Sequence, residues 1–291
     1  MRSEFVRERT WVDGEHLQVG KGSFFLSTDP GVFGALASEI DRFMLLKQRS
    51  MIESLVDQAP DRVENIFDLG IYKGGSVVLY HELFQPNRLV GIELSHYRVR
   101  ALDEFIHLHS LDEVIHLYYG TLQNDQDRLR NIVRDEFGDE PLDLVVDDCS
   151  HRYGHTKRSM NVLLPRLRPG GLYVIEDWGW AHWPGDRFQG RKSQYAKERW
   201  PLSRLILELV MVAASRPGLV KRVDVTDGTV YVTRGTDIVT DPDFDISRCY
   251  LTSRRTMLSR IPRTSLPTTQ QWRNLYHHVR RTHPTGRPSR R

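Results

Sequence analysis

The sequence predicts an α/β fold, a doubly wound and mostly parallel seven-stranded sheet with an antiparallel edge strand. Three observations predict it. Short apolar runs alternate with segments of helical period from about residue 60 to residue 215, and the connections between them are short. Five of those runs end on an acid or a glycine, as strands do where a parallel sheet opens into its ligand crevice. Two further runs are split only by Thr226-Asp227-Gly228, a turn signal that adds a hairpin at one edge.

Taken in order, residues 1–30 mix charges with short apolar pieces and read as an irregular arm. Gly20-Lys21 invites a phosphate-loop reading, but the glycine that motif needs four residues earlier is missing, so the reading is discarded. In 31–57, Phe33, Leu36, Ile40, Phe43, Leu46 and Met51 recur at helical spacing and predict one long helix. VENIFDLG (63–70) is then a strand, GGSVVLYHELF (74–84) a helix and RLVGIELS (88–95) a strand. HYRVRALDEFIHLHS (96–110) is a helix, VIHLYYG (114–120) a strand and NDQDRLRNIVRDEF (124–137) a helix. LDLVVDD (142–148), KRSMNVLLPRL (157–167) and GLYVIED (171–177) continue as strand, helix and strand. The helix PLSRLILELVMVAAS (201–215) precedes the closing strands LVKRVDV (219–225) and TVYVTR (229–234). Runs this uniformly apolar belong to strands covered on both faces. The expected organisation is an arm and helix over 1–58, the α/β domain over 59–235, and a basic extension over 236–291, disordered toward its end.

The 291 residues are 39% hydrophobic and 27% charged, a balance that suits a globular protein and excludes an intrinsically disordered one. No run is long and apolar enough to span a bilayer, and the charged start MRSEFVRERTWVDGEH does not read as a signal peptide, so a cytoplasmic protein is expected. Its two cysteines, Cys149 and Cys249, are then expected as free thiols. The net charge of +3 hides an asymmetry: from Ile246 onward there are eleven arginines and no lysine or acid, and removing those eleven leaves residues 1–245 at −8. An acidic body disfavours a nucleic-acid enzyme, and a solvated tail is the simpler reading of the arginines.

The most informative stretches are LDLVVDDCSH (142–151) and GGLYVIEDWGW (170–180), two apolar runs that each stop on paired acids, Asp147-Asp148 and Glu176-Asp177. Carboxylates brought together repel unless a cation or an unusual protonation state relieves them. A divalent metal site, a general acid/base pair and solvated loop starts all remain open on the residues alone. Hard cations such as Mg²⁺ take oxygen ligands and keep positions for water or substrate. His151 stands three residues past Asp148, and histidine is a residue type suited to taking a proton near neutrality. Upstream, FDLGIYKGGS (67–76) runs from strand into a glycine turn, but Tyr72 stands at the second position of the dinucleotide pattern G-x-G-x-x-G. Glu93 ends the next strand, where an acid suits two ribose hydroxyls.

These features, with YYGTLQND (118–125), resemble the Rossmann-like class I S-adenosylmethionine-dependent methyltransferases over about residues 60–235. The resemblance implies a cofactor site built from Asp68, Gly70, Gly74, Ser76, Glu93, Gly120, Thr121, Gln123 and Asp147, although the usual three alternating glycines are absent. VVDDCSH together with YVIEDW resembles the metal-dependent macrolide-sugar O-methyltransferases and the related rhamnosyl O-methyltransferase and cephalosporin hydroxylase group. That resemblance implies Mg²⁺ (or Mn²⁺) on Asp148, Glu176 and Asp177, His151 as the base, a glycoside or other hydroxylated small-molecule acceptor, and a homo-oligomer. Catechol O-methyltransferase is similar, with lysine as base, so a catechol-like acceptor is the alternative. A nucleic-acid methyltransferase using the arginine tail is a more distant one, as is a structural or hydroxylase-partner protein. Cys149 beside a histidine invites a thiol nucleophile, but the surrounding acids would raise its pKa, so packing is expected. Four of the six tryptophans fall in residues 178–200 and read either as a lid over the acceptor or as packing for the next helix.

Overall fold

A computed structural model describes residues 6–250 apart from 192, 194, 196 and 197. The chain divides into compact units over 1–250 and 251–291; the arginine-rich segment beyond Tyr250 lies outside the described residues.

The seven-stranded sheet is built from β5 (Asn65–Leu69), β6 (Arg88–Glu93), β7 (Ile115–Tyr119), β8 (Leu142–Asp147), β9 (Leu167–Glu176), β10 (Val220–Val225) and β11 (Thr229–Arg234) in the order β10-β11-β9-β8-β5-β6-β7. β7, β6, β5, β8 and β9 run parallel, β11 lies antiparallel to β9 with Thr229 opposite Glu176, and β10 pairs antiparallel with β11 as the hairpin signal predicts. Before and between the strands come α1 (Pro30–Ala35), α2 (Arg49–Gln58), α3 (Gly75–Phe84), α4 (Arg100–Leu108), α5 (Gln126–Phe137), α6 (Tyr153–Leu163), the single turn α7 (Asp186–Gln189) and α8 (Ser203–Ser215). Alternation along each strand sends side chains to two cores. Phe67, Val90, Val145 and Tyr173 pack with α5, α6 and α8, whereas Ile66, Leu89, Leu144 and Leu172 pack with α2, α3 and α4. Coverage on both faces is what the uniformly apolar strand sequences anticipated. The first unit does not end with β11, because Phe244, Ile246 and Cys249 are buried in the core that contains α8.

Two expectations for the N-terminal sixty residues are corrected. The arm contains β1 (Arg9–Trp11), β2 (His16–Val19) and β3 (Gly22–Leu26), an antiparallel meander in which Gly20-Lys21 is a two-residue hairpin turn with Gly20 at φ +53°. The long helix over 31–57 is instead α1, then β4 (Phe43–Leu45) parallel to β3, then α2. The apolar residues at helical spacing do not share one face: Phe43 is fully buried, while Leu36, Ile40 and Leu46 are each more than a third exposed. Phe43, Met44 and Leu45 are buried in succession, a strand pattern that the overlapping helical period concealed. This small sheet lies against α3, whose first residue must be glycine, since a Cβ on Gly75 would stand 2.2 Å from the Met44 carbonyl oxygen. Close approach there delivers the next residues, up to Lys47, to the mouth of the main sheet.

Candidate active site

The crevice opens where the strand order reverses, between β5 and β8. β5 leaves the sheet through Gly70 at φ +114°, and a Cβ there would meet the Asp148 carbonyl oxygen at 2.4 Å, so the two strand exits touch because residue 70 has no side chain. The Asp148 N–H donates to the Leu69 carbonyl at 3.0 Å and completes that junction.

The first rim is the glycine turn. Asp68 is fully buried; Ser76 donates to its Oδ2 at 2.8 Å, while Oδ1 has no hydrogen-bond partner. Burial pushes the Asp68 carboxyl up to about 7. Glu93, at the end of β6, accepts the N–H groups of Tyr72 at 2.8 Å and Ser95 at 2.9 Å, one on each oxygen, and is thereby held facing the turn. Gly120, at φ +69°, donates its N–H to the Ser95 carbonyl, and Thr121 donates to that of Glu93, which brings the 118–125 loop beside the Glu93 segment.

A second group sits deeper. Gln123 donates to both oxygens of Asp147, at 2.7 and 2.8 Å, and accepts from the Ser150 hydroxyl at 2.6 Å. Tyr173 and Ser159 also donate to Asp147, each at 3.2 Å. Asp147 and Gln123 are 2% and 3% exposed, so these two residues brace the exit of β8 from below. Burial raises the Asp147 carboxyl to about 6.

The acidic ends of β8 and β9 converge as their sequences implied. Among the described residues one cluster of carboxylate, imidazole or thiol groups is placed to share a cation: Asp148, His151 and Asp177, whose ligand atoms lie within 4.8 Å of one another. His151 Nε2 stands 4.0 Å from Asp148 Oδ1 and 3.9 Å from Asp177 Oδ2. These gaps are too long for hydrogen bonds and leave a shared space between the three groups. His151 and Asp177 are both left-handed, at φ +53°. Non-glycine residues rarely adopt that conformation, and strain of this kind gathers at functional sites. The Asp177 N–H is pinned by the Gly228 carbonyl at 2.7 Å, and the Trp180 ring lies 4.7 Å from the His151 imidazole at an interplanar angle of 32°. Burial, and then the Asp148 charge, raises the Asp177 carboxyl above its ordinary value.

Glu176 is placed differently. It is buried and paired with the ammonium of Lys47, which also donates to Asp148 Oδ2 at 3.0 Å. Lys47, two residues past β4, was not singled out from sequence, where it fell on the supposed long helix. The one local signal was a lysine directly after the apolar run Phe43–Leu46. Cys149 and Cys249 are free thiols, and burial followed by the Asp147 charge pushes the Cys149 thiol well up, which fits packing and not nucleophilic attack.

Beyond His151 a cavity of about 250 Å³ is walled by Trp178, Trp180, Phe188, Tyr195 and Trp200. Trp180 contacts Trp183, Phe188 and Tyr195 edge-on or tilted, with centroids 5.4–5.8 Å apart. Trp180 and Trp183 therefore pack on one another, while Trp178, Trp180 and Trp200 line the cavity.

Asp68 gives this site a pH signature. Its raised carboxyl binds a proton in the folded protein over a range, about pH 4 to 7, in which the unfolded chain has released it. Stability from this group is therefore present at low pH and lost as pH rises through about 7. The melting temperature of ligand-free Asp68→Asn should fall less between pH 5 and 8 than that of the unaltered protein, as differential scanning fluorimetry would read. Parallel slopes would mean that Asp68 is ionised throughout.

Residues 67–178 match the family model described as a methyltransferase domain. The mycinamicin VI 2''-O-methyltransferase of Micromonospora griseorubida is 34% identical over 112 residues, 38% of this chain and 25% of that protein. The 8-demethyl-8-alpha-L-rhamnosyl tetracenomycin-C 2'-O-methyltransferase of Streptomyces olivaceus is 29% identical over 169 residues, 55% of this chain and 40% of that protein. Among solved structures, the MycE methyltransferase from the mycinamycin biosynthetic pathway, in complex with Mg, SAH and mycinamycin VI, is 24% identical. That likeness covers 65% of this chain and 50% of that one, with a TM-score of 0.46. The chain thus spans well under half the length of the curated relatives. The matched segment contains the glycine turn, Glu93, the 118–125 loop, both acid pairs and His151. From Phe67 to Trp178, this chain is thus similar to a methyltransferase domain.

Proposed function

We propose that the protein is a divalent-cation-dependent O-methyltransferase that moves the methyl group of S-adenosylmethionine to a hydroxyl of a sugar or glycosylated natural product. One observation carries this reading: Asp148, Asp177 and His151 face a shared space at the switch point of the sheet, beside the glycine turn and Glu93. The residues present fit both groups the reading requires. For the cofactor, Asp68 Oδ1 is a buried acceptor lacking a donor, suited to an ammonium group. Glu93 keeps lone pairs for two hydroxyls, and Gly70 and Gly74, both at positive φ, let the backbone approach closely. For the metal, the carboxylates are hard oxygen donors on backbones fixed by Leu69 and Gly228.

When bound, S-adenosylmethionine supplies an electrophilic methyl group, and a divalent ion lowers the pKa of a hydroxyl. Asp148 and Asp177 would hold the ion, with Glu176 beside them. His151 Nε2, which faces both carboxylates, takes the acceptor's proton. Trp180 fixes the imidazole plane, and the aromatic cavity orients the acceptor and excludes water from the reacting hydroxyl. Asp147 and Gln123 support the strand end on which Asp148 stands. The sugar acceptor is supported by aromatic walls, which suit a sugar ring, and by the names of the relatives.

Two measurements test the proposal together. Calorimetry should give S-adenosylmethionine binding to the unaltered protein and binding weakened about tenfold or more in Glu93→Ala, since two hydrogen bonds to a charged group are lost. Mass spectrometry over a panel of glycosides and catechols should show the gain of one methyl group on a glycoside. Equal affinities would remove the ribose role from Glu93, and transfer confined to catechols would replace the acceptor class.

A further inference from the structure

Among the described residues, the wall of the aromatic cavity has one acid–base pair besides its histidines, Arg152 and Glu198. Arg152 follows His151 directly, and both line the cavity. Successive side chains of extended backbone point to opposite sides, but the left-handed turn at His151, φ +53°, leaves these two on one wall. Arg152 Nε stands 3.4 Å from Glu198 Oε1, longer than the ~2.7–2.9 Å of a well-made charged hydrogen bond. The two side chains are 36% and 30% exposed, and neither makes a hydrogen bond to another described residue. Neighbouring polar groups are engaged elsewhere. His182 Nε2 and Ser203 Oγ are 2.7 Å apart, and the Gln189 amide donates to the carbonyls of Ala181 and Trp183 at 2.9 and 2.8 Å. The adjoining wall is fixed: the Arg204 guanidinium lies 4.0 Å over the Trp200 ring, and its Nε donates to the buried Glu208 at 3.1 Å. Arg152 and Glu198 thus keep unspent donors and acceptors, side by side, next to the imidazole.

We propose that Arg152 and Glu198 set acceptor specificity by binding a hydroxyl of the acceptor sugar other than the one that is methylated. One hydroxyl satisfies both: its O–H donates to the Glu198 carboxylate, and its oxygen accepts from the Arg152 guanidinium. The pair carries no net charge, so it selects a neutral polyol; an ionised substituent in its place would bring a like charge against one partner. The aromatic walls meanwhile take the faces of the sugar ring. The acceptor therefore carries at least one hydroxyl beyond those at the ion, which a glycoside offers and a catechol, with both hydroxyls on one ring edge, does not. The proposal rests on the O-methyltransferase reading above.

The test compares methyl α-L-rhamnopyranoside, its 2-, 3- and 4-deoxy analogues, and catechol. Binding is read by calorimetry on the protein loaded with S-adenosylhomocysteine and Mg²⁺, and transfer by mass spectrometry. A site that hydrogen-bonds a hydroxyl rejects the analogue lacking it, because its own polar groups are left unpaired. One deoxy analogue that is still methylated should therefore bind the unaltered protein about tenfold or more weakly than the parent, a partly exposed charged pair giving less than a buried one. The double variant Arg152→Met/Glu198→Met keeps side chains of similar length without donor or acceptor and leaves the net charge unchanged. It should bind S-adenosylhomocysteine as the unaltered protein does, bind the parent glycoside about tenfold or more weakly, and bind that deoxy analogue within about threefold of the parent. A deoxy penalty that survives in the double variant, or undiminished binding of the parent, overturns the proposal while the transferase reading stands. Methyl transfer by the unaltered protein to catechol and to none of the glycosides overturns both.

Discussion

Chelation is expected to abolish methyl transfer, and added Mg²⁺ or Mn²⁺ to restore it. The expectation comes from the carboxylates at the ends of β8 and β9. Asp148 and Asp177 belong to one cluster whose ligand atoms fit within 4.8 Å, Glu176 adds a third acid beside them, and Lys47 neutralises only part of that charge. Burial, and then the Asp148 charge, raises Asp177 above its ordinary value, and like charges this close oppose ionisation. A divalent ion removes the repulsion and presents open positions to an acceptor oxygen. Asp177→Asn keeps the shape but deletes one negative ligand, so the ion concentration giving half-maximal rate should rise about tenfold or more. The measurement is a methyl-transfer assay titrated with Mg²⁺ after EDTA treatment and dialysis, with calorimetry confirming that S-adenosylmethionine still binds. Full activity in chelator with cofactor bound would falsify the metal mechanism.

The same carboxylates show how far sequence alone could be read. The seven strands of the main sheet were legible because apolar runs bounded by turn residues carry local information. β8 and β9 could be placed side by side because strands of a parallel sheet present their acidic ends on one edge. The site residues near those ends were legible for the same reason: Asp68, Glu93 and Asp148 each sit where a strand stops. The N-terminal region was not legible, since the strand Phe43–Leu45 has only three residues and the helical spacing running through it outweighed so short a pattern. Misplacing β4 hid Lys47, because the contact it makes joins residues more than a hundred positions apart. The left-handed backbone of His151 and Asp177 was equally hidden. Neither is a glycine, and their conformation is imposed by the strand exits and by the Gly228 carbonyl, not by local preference. Orientation was the other gap. Asp147 and Asp148 are adjacent, yet one points into the Gln123–Tyr173 network and the other into the crevice, and which does so depends on the pleat of β8.

His151→Ala should lose about a hundredfold or more in turnover, the usual contribution of a positioned general base, while Mn²⁺ and S-adenosylmethionine affinities stay near those of the unaltered protein. The argument turns on what the imidazole is for. Its Nε2 is about equally far from Asp148 and Asp177, 4.0 and 3.9 Å, and that geometry alone fits either a third ligand or a base poised over an ion held by its neighbours. Two features favour the base. The ring lies against Trp180 at the wall of the aromatic cavity, where an acceptor hydroxyl would enter, and the carboxylates on either side already supply the hard oxygen ligands that Mg²⁺ prefers. A ligand and a base respond differently to deletion. Removing a ligand weakens the ion and slows the reaction together, so excess Mg²⁺ rescues much of the rate. Removing a base slows the proton transfer at every ion concentration, so saturating Mg²⁺ rescues nothing. Titrating His151→Ala with Mn²⁺ by calorimetry and assaying it in saturating Mg²⁺ separates the two. Low turnover with unchanged ion affinity assigns the proton to His151, and rescue by excess ion moves the imidazole into the coordination sphere.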